Sequence, residues 1–99
     1  MADPAVNAER MRRIEMLLRE RVGATVVEVT DESDLHAGHA GARDGAGHFR
    51  ARVVSPRFAG LSRIEAQRLV YQALADLIGP DIHALSLHCE APAPSPRVR

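Results

Sequence analysis

Ninety-nine residues, with 13 Lys plus Arg against 13 Asp plus Glu, carry no formal net charge, which excludes a polybasic or polyacidic arm as the functional device. A content of 45% apolar and 26% charged residues is that of an ordinary globular domain, long enough to bury a core without staples. The single cysteine, Cys89, excludes a disulfide framework or a Cys-rich zinc module, and Phe49, Phe58 and Tyr71 are too few aromatics to stack several bases. All 13 cations are Arg, which reads as genomic base composition before it reads as function. No apolar run approaches a membrane span, and the start Met1-Ala2-Asp3-Pro4 lacks a signal peptide's apolar core, so a soluble, cytoplasmic, single-domain protein is expected.

Met11, Ile14, Leu17, Leu18 and Val22 recur at helical spacing and predict a first helix from about Ala5 to Val22. Glu9–Arg13 and Glu15–Arg19 are favourable i,i+4 pairs on its outer side, Asp3-Pro4 or Asn7 is positioned to cap its start, and Gly23 to end it. Thr25 to Thr30 is β-branched and reads as a strand. His48 to Val54 repeats that signal, with Phe49, Ala51 and Val53 on one face and Arg50 and Arg52 on the other, a solvated one. Between the strands, Asp31 to Gly47 holds Gly38, Gly41, Gly45 and Gly47 with almost no large apolar side chain. A connection of that length in a small domain is disordered or functional. Ser62 and Glu65 form a capping box, after which Ile64, Leu69, Val70, Ala73, Leu74, Leu77 and Ile78 supply an apolar stripe that stops at Gly79-Pro80. Asp81 to Cys89 predicts a last strand with His83, Leu85, Leu87 and Cys89 on one face and His88 on the other.

The order helix-strand-strand-helix-strand makes an α+β two-layer sandwich. Strands one and two pair antiparallel, strands two and three run parallel, and both helices cover one face of a three-stranded mixed sheet. Residues 1–89 form the domain, and 90–99 a disordered, Pro-rich tail.

No phosphate loop, no Gly-x-Ser-x-Gly elbow and no His-Glu-x-x-His helix is present, and two helices on three strands leave little concavity, so an enzyme is not expected. Histidine is the residue type that stands out, since imidazole suits zinc, copper and iron. His36 and His39 share the Gly-rich loop, but two histidines three apart are a weak signal, and on spacing alone they read as solvated. His48 starts the second strand, where it caps or packs at the sheet end, and His83 reads as a partly buried strand-start residue. Cys89 reads as a small apolar filler.

The runs Ser55-Pro56-Arg57-Phe58-Ala59-Gly60-Leu61-Ser62, Arg68-Leu69-Val70-Tyr71-Gln72-Ala73-Leu74 and Ile82-His83-Ala84-Leu85-Ser86-Leu87-His88 closely resemble the BolA family. Asp31-Glu32-Ser33 and His48-Phe49 match it too, so the resemblance spans roughly Met11 to Cys89. It implies a fold similar to the second class of KH domain, with a short helical turn near Pro56 to Gly60. It also implies a non-enzymatic partner of a monothiol glutaredoxin, forming a heterodimer bridged by a [2Fe-2S] cluster shared with that glutaredoxin and glutathione. The cluster would be absent from the isolated protein. By position its ligands here are His83 and His36, with His39 a close competitor on the same loop.

The family commonly has Arg-His-Arg before Leu-Val-Tyr, whereas this chain has Ala66-Gln67-Arg68, which weakens any role of that basic cluster towards nucleic acid or glutathione. A KH-like nucleic-acid-binding transcriptional regulator is the alternative function, supported by Arg50, Arg52, Arg57, Arg63 and Arg68. Any DNA binding is expected to be weak, and of these cations Arg57, Arg63 and Arg68 are also the expected partner contacts. A third reading is a simple zinc or copper binder through His36, His39 and His48.

Overall fold

A computed structural model describes residues 4–33 and 46–93. The elements are α1 (Pro4–Arg21), β1 (Val26–Asp31), β2 (Gly47–Val54), a 3-10 turn (Pro56–Phe58), α2 (Arg63–Ala73) and β3 (Ile82–Glu90). β1 runs antiparallel to β2, from Val26 opposite Val54 to Asp31 opposite Phe49, and β2 runs parallel to β3 in the sheet order β1-β2-β3. Parallel neighbours need a long crossover, which the 3-10 turn and α2 supply. The expected Asp3 cap, His36 and His39 with the rest of their loop, and the tail beyond Ala93 lie outside the described residues. Glu90, expected in that tail, instead ends β3, because its carbonyl accepts the Ser55 amide at 3.1 Å and it pairs with Val54.

The core forms where Ile14, Leu18 and Val22 of the first helical segment and Val70, Ala73 and Leu74 of the second meet Phe49, Ala51 and Val53 of the central strand. Each fully buried Leu, Ile or Val contributes about 1.5–3 kcal/mol of transfer free energy, so these few residues dominate stability. The opposite sheet face is an ion-pair surface. Arg50 bonds Glu32 at 2.8 Å, and Arg52 lies 3.4 Å from Glu28 and 3.0 Å from Glu90.

The local signals read from the sequence are present at several joints. Ser62 Oγ accepts from the Glu65 amide at 3.1 Å while Glu65 Oε1 accepts from the Ser62 amide at 2.9 Å, which closes the capping box. Gly23 ends α1 at φ 69, and the Ala24 amide reaches back to Leu18 O at 3.2 Å. Ser55, fully buried, donates to Val22 O at 2.7 Å and accepts from the Arg57 amide, so the 3-10 turn is tied to the end of α1.

Other joints differ from expectation. Asn7 does not cap α1. It lies within the helix, only 4% exposed, and together with Arg10 (8% exposed) prolongs the buried stripe of Ile14 and Leu18 in polar residues. Arg13 reaches Asp81, and Glu9 pairs with Arg12 instead. α2 ends at Ala73, before the apolar pattern does. Leu74 to Leu77 continue in turns because Leu77 O must accept the amides of both Asp81 and Ile82 as the chain enters β3. Ile64 is 61% exposed, and Ala66 takes the buried position on that turn of helix.

Candidate metal centre

Strict alternation along β3 would put His83 on the core face with Leu85 and Leu87. The ladder breaks that rule: Gly47 sits opposite Ile82 but His48 opposite Ala84, so His83 is an extra residue on β3. A bulge of this kind re-aims the side chains around it. Ile82 consequently fills the core, and His83 is exposed. The His83 ring stands 5.0 Å from the His48 ring, centroid to centroid, tilted by 53°, a separation and tilt usual for aromatic pairs.

His48 is 6% exposed, and its backbone is held at both ends. Its amide donates to Ser33 Oγ at 3.1 Å, and its carbonyl accepts from the Glu32 amide at 2.7 Å. Gly47 next to it donates to Asp81 O at 3.0 Å. Ser33 and Ala46 flank the segment that carries His36 and His39, so both ends of that segment lie at the end of the sheet where His83 emerges.

Below this site runs a polar network. Asn7 Nδ2 donates to Asp31 Oδ2 at 3.0 Å and approaches Ser33 Oγ at 3.4 Å, while Arg10 Nη1 donates to Asn7 Oδ1 at 3.0 Å. Arg10 Nε and Arg13 Nη2 reach Asp81 Oδ1 at 3.0 and 3.1 Å. Burial raises the Asp31 carboxyl pKa. The hydrogen bonds from the Ser33 side chain and backbone and from Asn7, with the charge of Arg10, outweigh that burial and hold the carboxyl below its ordinary value. Sequence reasoning missed Asn7 and Arg10. Their signal was phase, since they fall three to four residues apart in line with Ile14 and Leu18.

The remaining candidates fall elsewhere. Cys89 lies six residues from His83 along β3, about 20 Å at strand rise, and burial pushes its thiol pKa up, so it is no ligand at this end. His88 Nε2 lies 3.2 Å from Glu90 Oε1 at the other end of the same strand. Among the described residues no three His, Cys, Asp or Glu gather into a metal-holding group. An exposed imidazole on a paired strand, beside both roots of a histidine-bearing segment, fits a borderline metal such as iron or zinc with further ligands from outside the sheet.

Of the expected cation contacts, Arg57 donates from Nη1 to Arg21 O at 2.7 Å, which commits it to the end of α1. Arg63 and Arg68 are exposed on α2. A groove of about 680 Å³ separates the start of α2, with Leu61, Arg63 and Gln67, from His88 and Glu90 of β3. Where the family commonly carries a cation, Ala66 is 3% exposed and faces the core.

The family model for BolA-like protein matches residues 9–94. The chain belongs to the BolA family. It is 42% identical to human BolA-like protein 1 over 76 residues, covering 77% of this chain and 53% of that protein. It is 39% identical to SufE-like protein 1, chloroplastic/mitochondrial, of Arabidopsis thaliana over 89 residues, 85% of this chain but 24% of that protein. The chain thus spans between a quarter and about half of these relatives' length. A protein named DNA-binding transcriptional regulator BolA, from Vibrio cholerae, is 41% identical over 75 residues, 76% of this chain and 68% of that protein. Among solved structures, the BolA domain of SufE1 from Arabidopsis thaliana aligns with a TM-score of 0.74 at 38% identity, covering 84% of this chain and 92% of that one. BolA1 from Mus musculus aligns with a TM-score of 0.68 at 35% identity, covering 93% and 69%. The α+β architecture with its mixed three-stranded sheet is therefore that of BolA domains. No helix among the described residues is long and apolar enough to cross a membrane.

Proposed function

We propose that this BolA-like chain is a non-enzymatic, cytoplasmic partner of a monothiol glutaredoxin in iron–sulfur cluster trafficking or iron and redox regulation. It would supply imidazole ligands to a [2Fe-2S] cluster shared with the glutaredoxin and glutathione. The observation that carries this reading is the bulge that turns His83 out of the core beside the two ends of the segment bearing His36 and His39. His36 is three residues from Ser33, within about 10 Å of extended chain, and His39 is the alternative second ligand. Two protein ligands do not complete a tetrahedral iron site, so the partner is obligatory. Imidazole in place of thiolate makes the cluster less negative and raises its potential. His83 would bind from a rigid strand, and the second histidine from the connecting segment.

Co-expression with a monothiol glutaredoxin is expected to give a coloured one-to-one heterodimer on size exclusion, with a visible spectrum unlike that of the glutaredoxin alone. His83→Ala should abolish it, whereas His36→Ala and His39→Ala should each weaken it and the double change remove it. No co-elution and an unchanged spectrum would sink the reading.

A second reading is nucleic-acid binding, favoured by the groove beside Arg63 and by the name of the Vibrio relative. Arg50, Arg52 and Arg57 weigh against it, because each is already engaged by a carboxylate or a carbonyl.

A further inference from the structure

A domain of this size seldom buries an arginine and an asparagine in line with the apolar stripe of a helix, since each burial costs unless every polar atom is satisfied. Leucine at positions 7 and 10 would extend the same stripe without that cost. The partners that Asn7 and Arg10 find are informative, because they lie on the two chain segments that flank the candidate metal centre. On one side, Asn7 holds Asp31 and Ser33, and Ser33 Oγ accepts the His48 amide at 3.1 Å. On the other, Arg10 holds the Asp81 side chain, whose own carbonyl accepts the Gly47 amide at 3.0 Å, two residues before His83. Arg10 Nη1 donating to Asn7 Oδ1 joins the two sides on a single turn of α1.

We propose that Asn7, Arg10 and Asp81 are positioning residues: a clip built on α1 that fixes the bulged His83 relative to His48 and to the root of the His36 segment. The proposal rests on the functional reading above for its purpose but not for its geometry. His83 lies on an edge strand at an irregular point of the ladder, where pairing alone constrains it poorly. Its contact with the His48 ring holds only if both strand ends keep their spacing, and the clip spans that spacing from below. The result is a ligand whose place is set before any metal arrives, which is how a site avoids ordering itself at the moment of binding.

The test is amide hydrogen exchange of the isolated protein by NMR, with Asp81→Ala, Asp81→Asn and Asn7→Ala. Asp81→Ala removes the acceptor for Arg10 and Arg13, whereas Asp81→Asn keeps an oxygen at Oδ1. In Asp81→Ala and Asn7→Ala, the Gly47 and His48 amides should exchange about tenfold faster or more, with Ala51 and Val53 unchanged; Asp81→Asn should stay near the parent. The His83 ring signals should shift in the same two variants. If Asp81→Ala fails to fold, Arg10→Met with Asp81→Ala removes both charges together and is read in the same way. A uniform rise across β2, or no change at Gly47 and His48, would overturn the clip. The second readout is the lifetime of the glutaredoxin-bridged cluster under a chelator, expected to fall about tenfold in Asp81→Ala and to return with Asp81→Asn. If the parent forms that cluster and its lifetime is the same in all variants, the positioning role is refuted while the functional reading stands. If the parent forms none, the functional reading fails and the exchange pattern alone decides the clip.

Discussion

A methyl group built at Gly47 would lie 2.6 Å from two ring carbons of Phe49 and 3.3 Å from Asn7 Oδ1, and Phe49 is fully buried and has nowhere to retreat. Gly47→Ala is therefore expected to cost about 1–3 kcal/mol in urea unfolding, a cost of overpacking and not of backbone freedom. His83→Ala, at an exposed ring, should stay within about 0.5 kcal/mol of the parent in the same measurement. Asp31 supplies a pH signature. Its folded pKa lies below the ordinary 3.8, so its contribution to stability is present above that value and is lost as pH falls through the lower folded one. Unfolding midpoints measured from pH 6 down to about 2 should fall less steeply for Asp31→Asn than for the parent. At this scale the sequence was only partly legible. The period-two rule assigned Phe49, Ala51 and Val53 to the core correctly, but no single-strand pattern announces a bulge, because a bulge is a property of two strands in register. Alternation alone therefore puts His83 on the core face, whereas the bulge turns it to solvent.

The helices divide along similar lines. α2 declared its start through Ser62 and Glu65, and the reciprocal bonds of that box are present. Ser62→Ala should therefore cost about 1 kcal/mol, read as a drop in thermal midpoint, with Ser62→Asp close to neutral. Its end was less legible. The apolar residues from Leu74 to Ile78 continue the helical period, but they serve a turn whose geometry is dictated by Leu77 O accepting two amides from the start of β3. Ile64 shows the same limit: it matches the stripe in spacing yet stands in solvent, so Ile64→Lys should leave stability within about 0.5 kcal/mol of the parent. α1 was legible in extent and in its apolar residues, while its polar continuation through Asn7 and Arg10 needed the partner segments to become visible.

For the molecule as a whole, the alternation of one helical and two strand signatures with a second helix and strand leaves few topologies, and a parallel last pair follows from the helical crossover. Net neutrality has its own consequence. With no net charge to steer it and with Arg50 and Arg52 already paired, binding to duplex DNA at about 150 mM salt should be weaker than micromolar and should fall steeply with added salt, as titration by fluorescence anisotropy would show. Sequence-selective binding tighter than that would raise the regulator reading above the cluster-partner one. The sheet order bears on how the chain is made. β2 is the central strand, yet one of its neighbours is drawn from residues synthesised long after it: Gly47 pairs with Ile82, 35 positions on, and Val54 with Glu90. At about 5–20 residues per second a ribosome adds that stretch in roughly two to seven seconds, whereas a hairpin of β1 and β2 closes in microseconds. Until β3 pairs, β2 is an edge strand whose backbone groups on the β3 side are open, a surface prone to pair with other unfinished chains. Chains interrupted before residue 82 never gain that cover, so translation products stopped there should collect in the insoluble fraction to a greater extent than the 99-residue chain.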